Sequence, residues 1–279
     1  METNEWVTGK VVLRIGGEPL EMELTVPAKP VKPHRMLPIF QQMTSSIVDM
    51  SVDAVQAAGE KISCKAGCGA CCRQPVPLAE IEVYQIAELV ESMPEPRRTE
   101  IKKRFSEAND HFAKMGWYER IRELGGMAKP SDPDYVPTEL LDEAMRYFNE
   151  GIPCPFLENE SCSIHNARPL ACREYLVTSP AVNCSNPSAK NISKVPLLMK
   201  PTDSLRFVGR TGKLTRWGLI PLIRALEFAE KYPESFVEKN GERWAADFFQ
   251  QLTGTEIPKK GIKPPKPGQH KKRARKRKK

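Results

Sequence analysis

Eight cysteines fall in two stretches of the 279 residues, Cys64, Cys68, Cys71 and Cys72 in the first and Cys154, Cys162, Cys172 and Cys184 in the second. This clustering constrains the chain more than any other feature. A lone cysteine packs as a small apolar residue, but four within nine positions exceed what packing asks for. The start, Met1-Glu2-Thr3-Asn4-Glu5-Trp6, lacks the basic residues and apolar run of a secretory signal. The expectation is therefore a cytoplasmic protein with reduced thiols. There, clustered cysteines serve metal binding or redox chemistry before structural disulfides.

The groups read Cys64-x3-Cys68-x2-Cys71-Cys72 and Cys154-x7-Cys162-x9-Cys172-x11-Cys184. Thiolates must approach to about 2.3 Å to hold zinc. A loop bearing Gly67 and Gly69, closed by Pro75 and Pro77, can wrap an ion where a helix cannot. The side chains of adjacent Cys71 and Cys72 diverge, so one ion need not take both. A turn at Glu158-Asn159-Glu160 is expected to bring Cys154 close to Cys162. All eight cysteines are candidate ligands for zinc or iron. They suit two four-sulfur sites, or one iron–sulfur cluster with four thiols left over. Arg73, Arg168 and Arg173 lie beside them and offset thiolate charge. His165 is the one further candidate ligand; like His34, His111 and His270, it reads more simply as an ordinary polar residue. No catalytic triad, phosphate loop or paired catalytic carboxylate is identifiable, and acidic residues fall mostly on helix surfaces.

The rest of the chain sets the fold class. Residues 5–26 alternate as a hairpin, Val7, Val11 and Leu13 against Leu20, Met22 and Leu24, turning at Gly16-Gly17. A Pro-rich, extended segment follows to residue 38. Helical periods begin at Leu37 (Ile39, Met43, Ile47, Met50, Ala54), over 78–93, and after Pro96 (Ile101, Phe105, Ala108, Phe112, Met115). Residues 126–137 read as a polar loop, and Thr138 caps a helix to Phe148. A short hairpin is expected over 205–214. Helices are expected near 219–231, with Pro221 in the first turn, and near 242–252, stopped by Gly254. The expected fold is mainly α with small β elements, its irregular cysteine-rich loops packed on helices. Three regions follow: 1–35, hairpin and extension; 36–254, a helical body containing the cysteine region at about 60–190; and 255–279, a disordered basic tail.

The tail carries twelve Lys or Arg and one Glu, leaving 31 basic and 34 acidic residues elsewhere. It suits a nonspecific grip on nucleic acid or another polyanion through residues 259–279, or serves solubility alone. No apolar run approaches the ~18 residues of a membrane span. Protein partners are not legible.

The spacing Cys64-x3-Cys68-x2-Cys71 is similar to that of radical S-adenosylmethionine enzymes, and Gly16-Gly17-Glu18-Pro19 looks like their methionine-binding motif. The motif order is reversed here, Ala70 stands where an aromatic is usual, and strand–helix alternation is missing. A different family fits better. The first cysteine group, Cys154-Pro155-Phe156-Leu157, Cys162-x-Ile164 and Arg168-Pro169-x2-Cys172-Arg173 together resemble the YkgJ-type cysteine-cluster family over about residues 60–190. The resemblance implies a bacterial-type cytosolic protein that chelates zinc or iron through these cysteines. His165 stands where that family usually has an aromatic. A related branch, the flagellin lysine methylases, shares a similar cysteine pattern and an iron–sulfur centre. Three functions are thus open: a metal-binding protein, which leads; an iron–sulfur-dependent enzyme related to those N-methylases; and a nucleic-acid-associated protein with a structural metal.

Overall fold

The computed structural model describes residues 5–15, 18–126, 138–188, 190–214 and 218–254. Strand β1 (Trp6–Ile15) pairs antiparallel with β2 (Glu18–Pro27), in register from Trp6↔Pro27 to Ile15↔Glu18. The period-two reading holds: Leu13, Met22, Leu24 and Val26 are buried, while Lys10, Glu21, Glu23 and Thr25 face outward. The turn expected at Gly16-Gly17 lies outside the described residues. The following segment bends at Ala28 and Lys29 and reaches Val31, whose N–H donates to the Lys239 carbonyl at 2.8 Å. It then closes into a 3-10 turn over Pro33–Met36, which the fixed φ of Pro33 favours.

Helix α1 (Leu37–Ala57) buries Phe40, Met43, Thr44, Ile47, Ser51 and Val55, with Ala54 outside. Its buried hydroxyls are satisfied within the helix: Thr44 Oγ1 donates to Phe40 O at 2.8 Å and Ser51 Oγ to Ile47 O at 3.2 Å. Strand β3 (Pro77–Ala79) leads into α2 (Glu80–Glu91), with Val83, Ile86 and Val90 buried. Helix α3 (Arg97–Lys114) buries the expected stripe of Ile101, Phe105, Ala108 and Phe112. Gly116, at φ 70, then separates it from α4 (Trp117–Gly126), a helix the periodicity does not announce. Helix α5 (Thr138–Asn149) starts at the expected residue. Phe112 stacks on Tyr147 with centroids 3.8 Å apart, and Trp117 Nε1 donates to Glu143 O at 3.0 Å. These contacts hold α3, α4 and α5 together. The loop expected over 126–137 lies outside the described residues beyond Gly126, which ends α4.

In the second cysteine group, Cys154 precedes β4 (Leu157–Glu158), Cys162 ends β5 (Ser161–Cys162), Cys172 lies in α6 (Leu170–Glu174) and Cys184 in the 3-10 turn Ala181–Ser185. The hairpin expected at 205–214 does not form. Pro201 opens a short helix, α7 (Pro201–Leu205), and Glu174 Oε1 takes the Thr202 N–H at 2.6 Å. Gly209, at φ 65, then abuts Pro33, where an added Cβ would stand 2.7 Å from its Cγ. The helix expected from 219 is also shortened. Residues Leu219–Pro221 form β6, paired antiparallel with β3, and Leu222 N–H donates to Val76 O at 2.8 Å. Pro221 therefore closes a strand, and α8 (Ala225–Lys231) begins later. Helix α9 (Gly241–Thr253) is capped by Asn240, which accepts the Arg243 N–H at 3.0 Å, and stops at left-handed Gly254, as expected.

The hairpin's inner face, α1, α2 and α9 share one apolar core. Phe40 and Phe248 meet with centroids 4.6 Å apart. Phe156 packs edge-on against Phe105 at 5.4 Å, which roots the Cys154 loop in that core. The fold is mainly helical, with a small N-terminal hairpin and most of the cysteines in loops and short turns, Cys162 ending β5 and Cys172 lying in α6. No helix among the described residues is long and apolar enough to cross a membrane.

Candidate metal centre

The first cysteine loop leaves α1 and is pinned at both ends. Ser63 N–H donates to Val177 O at 2.9 Å and Ser63 Oγ to Thr178 O at 3.1 Å, fixing the entry to Cys64. Gly67 takes φ 77, and Cys72 N–H donates to Gly69 O at 2.9 Å within the 3-10 turn Ala70–Arg73. Arg73 then clamps Glu160 with two bonds, 2.8 and 3.1 Å, while also donating to Gly69 O at 3.0 Å. The expected turn is present: Asn159 and Glu160 both have positive φ, 49 and 55, and β4 pairs with β5 across it. Most directly, Cys154 N–H donates to Cys72 O at 2.7 Å.

All eight cysteines are free thiols; Cys184 is buried and the others are half-buried. Their mutual electrostatics divide them into two groups. Cys64 lies within electrostatic reach of Cys71 and Cys68, and Cys184 of Cys68, Cys64 and Cys71. Cys154 lies within the same reach of Cys162 and Cys71, and Cys172 of Cys154, Cys162 and Cys71. Cys71 thus stands between the groups and is hydrogen-bonded to the Cys72 side chain. Backbone N–H groups point at several sulfurs: Val177 at Cys64, Phe156 at Cys154 and Ile164 at Cys162. Such donors stabilise thiolates more than thiols. Burial opposes ionisation, pushing the Cys154 thiol up to about 12 and Cys172 well above its ordinary value.

In donor chemistry the site fits a soft metal. In geometry the sulfurs stand apart: among the described residues, no three of His, Cys, Asp and Glu are gathered closely enough to hold an ion. The loops that carry most of the sulfurs have largely irregular backbone. His165 is exposed, its pKa lowered first by the charge of Arg168.

The supports around the thiols escape a sequence reading. Gln41 on α1 donates to the carbonyls of Ala167 and Arg168, both at 3.3 Å, and Arg173 reaches Ser45 Oγ at 3.1 Å. Glu82 is buried; its carboxylate accepts Leu170 N–H at 2.8 Å and Ala79 N–H at 2.9 Å. Burial pushes its pKa up to about 7. Glu80, also buried, accepts the Thr211 N–H at 3.1 Å. The available signal was the Glu80-x-Glu82 pair in the first turn of α2, where carboxylates favour free N–H groups.

Residues 63–194 match the CxxCxxCC family model, described as a "putative zinc- or iron-chelating domain". The matched segment holds all eight cysteines and the bonds between the two cysteine loops, while Gln41 and Ser45 of α1 brace it from outside. The CxxCxxCC segment excludes the N-terminal hairpin and the chain from α7 onward. Comparison with curated proteins and with solved structures returned no match.

Proposed function

We propose that the CxxCxxCC segment holds zinc or iron in two thiolate groups. Cys64, Cys68 and Cys184 form one, and Cys154, Cys162 and Cys172 the other, each completed by a member of the Cys71–Cys72 pair. The family description supports metal binding in general. The observation that carries the finer reading is the Cys154–Cys72 backbone bond, which brings the two cysteine stretches together at their sulfur-bearing residues. When bound, zinc supplies a crosslink that stabilises the fold, and an iron–sulfur cluster supplies an electron-transfer centre. The chain's own part is to aim N–H groups at the Cys64, Cys154 and Cys162 sulfurs and to bury them from water.

Anaerobic purification, followed by metal analysis and an absorption spectrum, tests this. Stoichiometric zinc in a colourless protein, or iron with sulfide in a brown one, is the expected result. A folded chain with neither metal overturns it.

A second reading is iron–sulfur-dependent catalysis as in methyl transfer: four of the eight thiols suffice for one cluster, and four are left over. The eight free thiols also support a reducing, cytoplasmic setting. The charge of residues 259–279 supports a polyanion grip.

A further inference from the structure

We propose that Arg168 is the positioning residue that joins the two thiolate groups, donating its Nε–H to a metal-bound sulfur. The inference rests on the metal-binding reading above. The Arg168 backbone is fixed: its carbonyl accepts from Gln41 Nε2 at 3.3 Å and Arg173 Nε at 3.2 Å, and Pro169 follows. Its Nε is buried and has no hydrogen-bond partner among the described residues. By contrast, Arg73 spends its guanidinium on Glu160.

A buried, unmatched N–H costs about 1–3 kcal/mol, so its acceptor is expected to arrive with a ligand. The surroundings identify that acceptor. The Arg168 charge acts on Cys64 and Cys71 from one loop and on Cys162 from the other. Of its other titratable neighbours, Arg173 cannot accept, and His165 is exposed and turned to water. A neutral thiol accepts weakly, whereas a thiolate on a metal accepts strongly. Four thiolates around a divalent ion leave a net double negative charge, and two such groups leave more. A guanidinium between them meets that charge where no carboxylate could.

Cobalt(II) is the probe, because its thiolate complexes are coloured. The full chain, Arg168→Gln and Arg168→Lys are titrated with cobalt under anaerobic conditions, with a competing chelator, and each metal-free protein is melted in parallel. Loss of a partner behind the ligands costs roughly 10–100-fold in metal affinity. Arg168→Gln is expected to weaken cobalt binding by that factor and to shift the thiolate charge-transfer band. Arg168→Lys keeps the charge without the planar fork and is expected to fall between. Parent affinity and an unchanged band in Arg168→Gln, at an unchanged melting temperature, overturn the proposal. If Arg168→Gln does not fold, Arg168→Lys decides, and parent values there overturn it equally. A parent chain that binds no cobalt through thiolates defeats the metal-binding reading itself, and Arg168's role with it.

Discussion

The backbone N–H of Cys154 donates to the carbonyl of Cys72 at 2.7 Å. This bond ties the first member of one cysteine group to the last member of the other. It runs through main-chain atoms, so replacing a cysteine side chain leaves it in place. Sulfurs can therefore be removed one at a time without parting the loops.

Serine substitutions then separate one centre from two. Cys184→Ser removes a thiol grouped with Cys64 and Cys68, and Cys172→Ser one grouped with Cys154 and Cys162. Each is expected to halve the metal bound per chain, and the double variant to remove nearly all of it. Elemental analysis of the purified proteins reads this directly. Complete loss in either single variant would instead mean one centre built from both groups.

Gly69 tests the fit between the loops. A Cβ there would lie 2.6 Å from Glu160 Oε2, 2.7 Å from Leu157 Cδ1 and 3.1 Å from Glu160 Cα. Its φ of −92 is ordinary, so the conflict is steric. Gly69→Ala is expected to cost about 1–3 kcal/mol, as overpacking does. Adding Glu160→Ala relieves only part, because Leu157 and the backbone remain. Thermal melts of the two variants check both statements. A melt like that of the parent in Gly69→Ala would show that the loops are not packed here.

The same sites show what a sequence can disclose. Helices α1 and α3 were legible because Met43 and Ile47, or Ile101, Phe105 and Phe112, repeat at the helical period and face one core. The β4–β5 turn was legible because Glu158-Asn159-Glu160 is turn chemistry between apolar residues. Helix α4 was not, since its identifiable buried side chains, Trp117 and Leu124, sit among charges. Around 205–214, the alternation of Leu205 and Phe207 suggests strand, yet a carboxylate distant in sequence, Glu174, holds the preceding turn helical. Glu82 reads as a solvated first-turn acid. Leu170, from the second cysteine stretch, seats its N–H on that carboxylate, and no local pattern announces the pairing.

The basic tail lies outside the described residues, so its prediction rests on charge alone. The full chain is expected to bind DNA or RNA with an affinity that falls steeply with salt, and a chain ending at residue 258 to lose that binding. Gel-shift titrations at several salt concentrations measure it. Equal retention by both chains at low salt would leave the tail a solubilising extension.

Glu82 makes the stability of the CxxCxxCC segment depend on pH. One carboxylate holds both the start of α2, through Ala79 N–H, and the helix that carries Cys172, through Leu170 N–H. Burial raises its pKa from 4.5 to about 7, against the pull of those two N–H groups and of Arg173. A pKa raised by folding means that the folded chain holds the proton more tightly than the unfolded chain. That contribution is fully present below the unfolded value and is lost as pH rises through the folded one. The parent's stability relative to Glu82→Gln should therefore fall from about pH 4.5 to about pH 7, by ~3 kcal/mol at most. Glutamine has no proton to lose. It carries instead a constant cost of about 1–3 kcal/mol, because its amide cannot accept both N–H groups. Urea melts of the two proteins at about pH 5 and about pH 8 separate the terms. A stability gap that is the same at both values would show that Glu82 does not change its protonation across that window.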